Sequence, residues 1–362
     1  MHSSYGSALK KLLWAFISAL FIFFIGLNSA FVESVYTQHL YQYIAVSLRF
    51  ISGLLPFPAG DVLYGLLVLY VLREVFLLAR SLLARRLTKK DALRGTLVVL
   101  RILLILYVVF KLLWGLNYSR PPIHTRLGIA NEKYNKKELI ALGNFLIQRI
   151  NQVQARRLPN GSSKYTLPEL RNGAVVAYAA LAQKNAFFTY RQPAVKQVLN
   201  TWLITKIGLE GYYSPLSGEA NINTRIPSAN LPFVTCHEIA HQLGVGREDE
   251  ANLVGYLVST SSPDLNFQYS GYYAVLRSVL FEIRFKAPEA YEALIKKLNR
   301  MTTADFKRDR QFWMYYNSDM YMYMDVALDS FLKLNNQDKG IDSYQDIVIW
   351  LFNIHKKELS PG

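Results

Sequence analysis

The 362-residue chain has a single cysteine, Cys236, so no disulfide can form within it. It is also short of acid, with 26 Asp and Glu against 41 Lys and Arg, a formal net charge of +15. Such a surplus alone points to nucleic acid or to anionic lipid. The sequence contains no zinc-finger or RNP-like module, no internal repeat and no low-complexity run, so a nucleic-acid partner is not expected. Histidine is scarce too, at 6 residues, and the rarity sharpens the meaning of any two that fall at a regular spacing.

What the chain has in excess is apolar and aromatic residues, including 24 Tyr and 20 Phe. They gather near the N-terminus in runs free of charge. Leu12 to Val32 carries no charged residue, and at about 1.5 Å per residue such a run spans about 31 Å, the thickness of a bilayer's hydrocarbon core. Its length and the lack of a small-x-small cleavage site favour an uncleaved anchor over a signal peptide. A second span is expected at about 62–79, with Arg73 and Glu74 snorkelling, and a third at about 95–115, with Arg101 and Lys111 near its ends. Residues 40–56, apolar around Arg49 and closed by Pro56 and Pro58, read as an interfacial or amphipathic segment. Cys236 reads as a small core hydrophobe.

Arg80, Arg85, Arg86, Lys89, Lys90 and Arg94 crowd the connection between the second and third spans, against Asp91. The positive-inside rule then holds that connection and the N-terminus in the cytoplasm and delivers everything after the third span to the periplasm or cell exterior. Trp114-Gly115-Leu116-Asn117-Tyr118-Ser119-Arg120-Pro121-Pro122 forms the exit: an aromatic pair at the interface, then a proline stop. The expected organisation is a multi-pass region, 1–118, in the inner (cytoplasmic) membrane, followed by an extracytoplasmic domain, 119–362. The fold class is mainly α, three transmembrane helices and then a mostly helical, zincin-like domain with a small β element. Helices are expected at 136–155 and 167–185, with a loop at Gly161-Ser162-Ser163 between them.

The chemistry centres on Thr235-Cys236-His237-Glu238-Ile239-Ala240-His241-Gln242-Leu243-Gly244. Two histidines four apart on a helix share a face about one turn apart, so both imidazoles can reach one metal ion. Glu238, beside the first, stands where a general base can take a proton from a metal-activated water. This is the H-E-x-x-H logic of zinc peptidases, and it implies Zn2+ and a peptide or protein substrate. A third protein ligand is needed. Gly244 and Gly246 permit a turn back, after which Glu248, Asp249 and Glu250 are all candidates by position. Glu219 to Thr224 alternates as a short strand after the turn-rich Gly211–Gly218. It reads equally as a structural hairpin and as a sheet edge that pairs with substrate backbone. Tyr212, Tyr213, Tyr269, Tyr272 and Tyr273 are candidates to stabilise an oxyanion, with Asn221 and Asn223 as further candidate substrate contacts. Trp313 to Met324 is expected to form a buried helical wall. Lys296, Lys297, Arg300, Lys307, Arg308 and Arg310 are expected to form a solvated basic face.

Glu248 and Asn252 resemble the E-x-x-A-[DN] element that follows H-E-x-x-H in gluzincin peptidases, although only six residues separate His241 from Glu248 here. That resemblance implies Glu248 as the third ligand, with Glu250 the alternative, and Asn252 as a buttress for a ligand histidine. Over nearly its whole length the chain also resembles an uncharacterised family of bacterial membrane proteins, catalogued as a domain of unknown function. The matching elements are the exit motif at Trp114 to Pro121, Pro215 to Asn223, His237 to Gly244 and Arg247 to Asn252, with further matches at Tyr269 to Tyr272 and at Phe331 to Asn335 before Gly340. The two function classes that remain are a membrane-anchored zinc metallopeptidase and a membrane-tethered scaffold with a structural zinc site. Neither fixes an oligomeric state.

Overall fold

The computed structural model describes residues 5–84, 88–157, 165–316, 319–335, 337 and 346–359. The expected loop at Gly161-Ser162-Ser163, together with Arg85, Arg86 and Gly340, lies outside them. The chain is mainly α with one small sheet. In order come α1 (Tyr5–Gly26), α2 (Ser29–Phe31), a π-helical stretch (Val32–Leu40), α3 (Tyr41–Gly53), α4 (Ala59–Leu83), α5 (Lys89–Leu113) and a 3-10 stretch (Gly115–Ser119). They are followed by α6 (Ile123–Arg126), α7 (Lys136–Arg156), α8 (Leu167–Ala182), β1 (Val195–Gln197), α9 (Thr201–Lys206), β2 (Gly211–Ser214) and β3 (Glu219–Ile222). The remainder is α10 (Leu231–Gln242), α11 (Glu248–Thr260), α12 (Leu265–Lys286), α13 (Pro288–Ile295), α14 (Arg300–Tyr316), α15 (Asp319–Leu334) and α16 (Ile347–Leu359).

Three helices are long and apolar enough to cross a membrane: Gly6–Gly26, Ala59–Ser81 and Gly95–Leu113. The first lies earlier than the charge-free run implies, because the helix takes in Lys10 and Lys11 and breaks after Gly26. Asn28 explains the break, since its side chain accepts from Phe31 N–H at 2.9 Å and caps the next turn instead of continuing the old one. In α4, Arg73 and Glu74 bond to each other, so the charged pair is self-neutralised. The third helix starts on a capping box between Thr88 and Asp91. It packs along α1, whereas no residue in the span window of α4 is buried.

Residues 32–53 differ from the interfacial reading. One face of this segment buries Val32, Tyr36, Tyr41, Ala45 and Arg49 against the rest of the protein. The lone charge in the apolar stretch is therefore an internal fastener: Arg49 donates through Nη1 to Gln242 O at 2.8 Å and through Nε to Arg191 O and Gln192 O at 3.2 Å.

The core forms around α10, which packs on α8, α11, α12 and the β2–β3 hairpin. Almost every α10 residue is buried, including Cys236 at 0% exposure, so the thiol is the core residue that its setting implies. The sheet order is β1-β3-β2, with β1 parallel and β2 antiparallel to β3. β3, the strand read as a possible substrate-pairing edge, is thus central and has its backbone paired on both sides. Gly218, at φ +71°, makes the turn between β2 and β3 in the left-handed region.

The helices expected at 136–155 and 167–185 are α7 and α8, each opened by a capping box, Asn135 with Glu138 and Thr166 with Glu169. The six basic residues from Lys296 to Arg310 are exposed, as a solvated face should be. The wall expected from Trp313 to Met324 is buried only in part: Tyr316 is buried and Trp313 packs against the core, while Asn317, Ser318 and the Tyr321 side chain lie outside the described residues. Met314, Tyr315, Met320, Met322 and Tyr323 are exposed, because only the opposite sides of α14 and α15 meet the domain.

Candidate metal centre

The centre is built by the turn that ends α10. Gly244, at φ +82°, takes the left-handed position there, so its N–H bonds His241 O at 3.0 Å and Val245 N–H bonds Ala240 O at 3.2 Å. Gly246 then lets the exit segment run close by, because a Cβ at that position would stand 3.1 Å from the backbone N of Tyr118. The chain re-enters a helix at Glu248, and α11 packs back along α10 with Gly255 opposite His237. A Cβ on Gly255 would be 3.4 Å from His237 Cα, so a bulkier residue would hold the helices apart.

This geometry brings three donors together. His237 Nε2 and His241 Nε2 are 3.2 Å apart, and Glu248 Oε2 lies 3.2 Å from the first and 3.6 Å from the second. The ligand atoms of His237, His241 and Glu248 all fall within 4.8 Å of one another, a group that can hold a metal ion. His241 Nδ1 lies 2.7 Å from Val245 O, so Nδ1 carries a proton, and the neutral ring that a metal would bind presents its lone pair on Nε2, the atom aimed at the group. Burial works against charge on Glu248, but His241 and His237 hold its carboxyl well below the usual carboxylate range. Burial likewise opposes protonation of His241, and Glu248 with Glu238 outweighs it and raises the ring to about 9. One carboxylate and two imidazoles thus form a donor group that can hold a cation.

Glu238 points to the same region but stands apart from the three. It is 5% exposed, and its Oε2 has no hydrogen-bond partner among the described residues. Burial, offset in part by the two imidazoles and reinforced by Glu248 and Glu210, pushes its carboxyl up to about 7. Gly211 of β2 confines it, because a Cβ there would lie 2.8 Å from Glu238 Oε1.

The other expected site residues scatter. Glu250 is turned away, accepting from Ile123 N–H at 2.8 Å, so it does not join the group. Asn252 makes no hydrogen bond to either imidazole among the described residues, and the Val245 carbonyl holds His241 in its place. Strand alternation puts Gly211 and Ile222 toward α10, and hence Asn221 and Tyr212 on the far face, where Tyr212 bonds Asp61. Asn221 is buried, and neither of its amide atoms has a hydrogen-bond partner among the described residues. Asn223 donates to Thr205 Oγ1 at 2.8 Å and Leu209 O at 3.0 Å, a structural link to α9. Tyr269 donates to Asp305 at 2.6 Å, Tyr273 stacks on Phe306, and Tyr272 packs on Tyr256. Tyr213 comes nearest: its ring lies 5.1 Å from Trp114, whose own ring is 5.8 Å from His241.

Sequence reasoning missed the clamp on the end of α10. Trp114 Nε1 donates to His241 O at 3.0 Å, Tyr41 OH to Gln242 O at 3.0 Å and Arg120 Nη1 to Gly244 O at 2.6 Å, alongside Arg49. Arg120 is itself held by Glu33 at 2.7 Å. Side chains flanking the spans thus saturate the carbonyls that the end of α10 leaves free. Tyr118, in the exit motif, has its phenol pushed up by burial and by the nearby Glu248 carboxylate. The lone Arg49 in an apolar run and the density of polar groups in the exit motif were the available signals. Gly211 offered none.

Residues 36–352 match the family model described as a protein of unknown function, DUF3810, and the chain belongs to that family. No curated protein and no solved structure matches it.

Proposed function

We propose that this protein is a membrane-anchored zinc-dependent metallopeptidase whose catalytic domain faces the periplasm or cell exterior. The observation that carries the reading is the convergence of His237, His241 and Glu248 beside a separate carboxylate, Glu238, whose Oε2 has no hydrogen-bond partner among the described residues. Two imidazoles and one carboxylate suit Zn2+, and three protein donors leave room for substrate, as in catalytic rather than structural sites. A bound zinc ion supplies Lewis acidity that polarises a peptide carbonyl and makes water easier to deprotonate. Glu238 accepts the proton of the attacking water and returns it to the leaving nitrogen. Its affinity for that proton, raised by burial to about 7, suits a base that must also act as an acid near neutral pH. Val245 fixes the His241 tautomer, and Gly211 fixes where Glu238 stands.

The outward orientation rests on the basic residues between the second and third spans, Arg80 to Arg94, which the positive-inside rule keeps in the cytoplasm. The competing reading, a scaffold with a structural zinc site, calls for a fourth protein ligand. Among the described residues the donor group has three members.

Glu238→Gln separates the readings. It should abolish cleavage of a quenched fluorescent peptide library while the purified protein keeps its zinc. Undiminished cleavage in that variant would remove Glu238 from the mechanism, and absence of any cleavage by the wild-type, zinc-loaded protein would favour the scaffold.

A further inference from the structure

Among the described residues outside the three long apolar helices, α15 leaves a large apolar face uncovered. Met320, Tyr323, Ala327, Phe331 and Leu334 fall at spacings of three and four, which places them on one stripe of the helix, and all are exposed. Leu334 is 83% exposed and Tyr323 71%, with Val326 and Met322 exposed beside them. The other side carries Leu332, at 0% exposure. A contiguous apolar stripe on 16 residues exceeds the scattered surface apolars of a water-facing helix.

Its place in the fold says what covers it. At the C-terminal end, Phe331 packs 5.9 Å from Phe110 and 6.2 Å from Tyr118, and Lys111 Nζ donates to Asn335 Oδ1 at 3.1 Å. Phe110 and Lys111 belong to the span Gly95–Leu113, so this end sits at the membrane end of the third span. At the other end, α15 begins three residues after Tyr316, whose hydroxyl accepts from Arg225 at 3.2 Å and whose ring lies 5.7 Å from Lys206 at the end of α9. The backbone just before α9 is tied to the start of the second span, with Leu199 N–H donating to Asp61 Oδ2 at 2.6 Å. The second span begins, and the third ends, on the same side of the bilayer. Both ends of α15 are therefore fastened near that surface, and the helix, about 24 Å long, crosses between them. Leu199, Trp202 and Leu203 at the α9 end are exposed apolar residues of the same kind.

We propose that α15 is an interfacial helix whose stripe is covered by the acyl chains and headgroup boundary of the bilayer, with Trp202 and Tyr323 at the level where such rings settle. Three residues beyond its C-terminal end, Gln337 Oε1 accepts from the backbone N–H of Glu248 at 3.3 Å. Lipid contact along α15 thus bears on the first residue of α11 and places the cluster close to the membrane surface. None of this depends on the peptidase reading.

Nitroxide scanning of the full chain in nanodiscs of phosphatidylethanolamine and phosphatidylglycerol tests it. Cysteines are introduced singly at Met320, Tyr323, Val326, Phe331 and Leu334, with Lys296 as the water-facing control; Cys236, fully buried, stays unlabelled. Collisions with oxygen should exceed those with a water-soluble nickel chelate severalfold along the stripe, and the ratio should reverse at Lys296. Nickel access along the stripe equal to that at Lys296 would overturn the proposal. So would spin–spin broadening that vanishes on dilution with unlabelled protein, which would put a second copy of the chain there in place of lipid.

Discussion

Replacing Gly211 by alanine tests whether the position of one carboxylate matters independently of the metal. The new methyl would stand 2.8 Å from Glu238 Oε1, 3.0 Å from Glu238 Cγ and 3.0 Å from the backbone oxygen of Asn221. Carbon contacts settle at roughly 3.5 Å or more, so about 0.5–0.7 Å must be found. The Asn221 oxygen belongs to the central strand, paired on both sides, and cannot yield cheaply. Glu238 therefore moves. Overpacking of this kind costs about 1–3 kcal/mol of stability. A displacement approaching 1 Å at a reacting group costs roughly 10²-fold in rate. The three atoms nearest the methyl belong to Glu238 and Asn221 and none to His237, His241 or Glu248, so zinc should stay bound. The assay is steady-state peptide cleavage, with zinc content and thermal unfolding measured on the same preparation. The expected pattern is a large fall in kcat, a small fall in Tm and unchanged zinc. Full activity in a folded Gly211→Ala protein would refute the claim that β2 fixes the base.

Arg49→Met removes the partner of three backbone carbonyls in a buried setting. It should lower stability by about 3 kcal/mol, read by thermal unfolding in detergent, and weaken zinc retention because the end of α10 is freed. A protein as stable as wild type would show that the clamp is not energetically significant. Burial raises Glu250 from 4.5 to about 7, with Asp249 adding to it. A raised acid binds more protons in the folded state, so it costs stability progressively as pH rises from about 4.5 to 7, and the cost persists above that. Glu250→Gln keeps a carbonyl for Ile123 N–H and removes the titration. It should stabilise the protein at pH 8 by up to about 3 kcal/mol and have little effect at pH 4.5. An equal effect at both values would mean that Glu250 titrates normally.

The sequence carried the parts of the account that depend on periodicity. His237 and His241 share a face because the helix repeat puts them there, and the three long apolar helices follow from runs of 19 to 23 residues that hold few charges. It could not choose between Glu248 and Glu250, since that depends on the phase at which α11 restarts after Gly244 to Gly246. Two residues rotate a side chain by about 200°, so one acid meets the imidazoles and the other meets Ile123. Sheet order was equally hidden. The alternation of Glu219 to Ile222 specifies two faces, but only β1, contributed from some 25 residues upstream, makes that strand central. Arg49 looked like a charge at a lipid surface because its partners are carbonyls about 140 and 190 residues away. The Trp313–Met324 segment reads as core because aromatics and methionines usually are, yet Met314, Tyr315, Met320, Met322 and Tyr323 are exposed, and composition alone does not say which face of a helix meets the core.

The central claim is that His237, His241 and Glu248 hold one metal ion. X-ray absorption at the zinc edge, with metal content measured on the same samples, tests it most directly. The account predicts about one zinc per chain in a shell of nitrogen and oxygen donors, lost in Glu248→Ala and kept in Glu250→Ala. Zinc that survives Glu248→Ala, or a shell containing sulfur from Cys236, would contradict it.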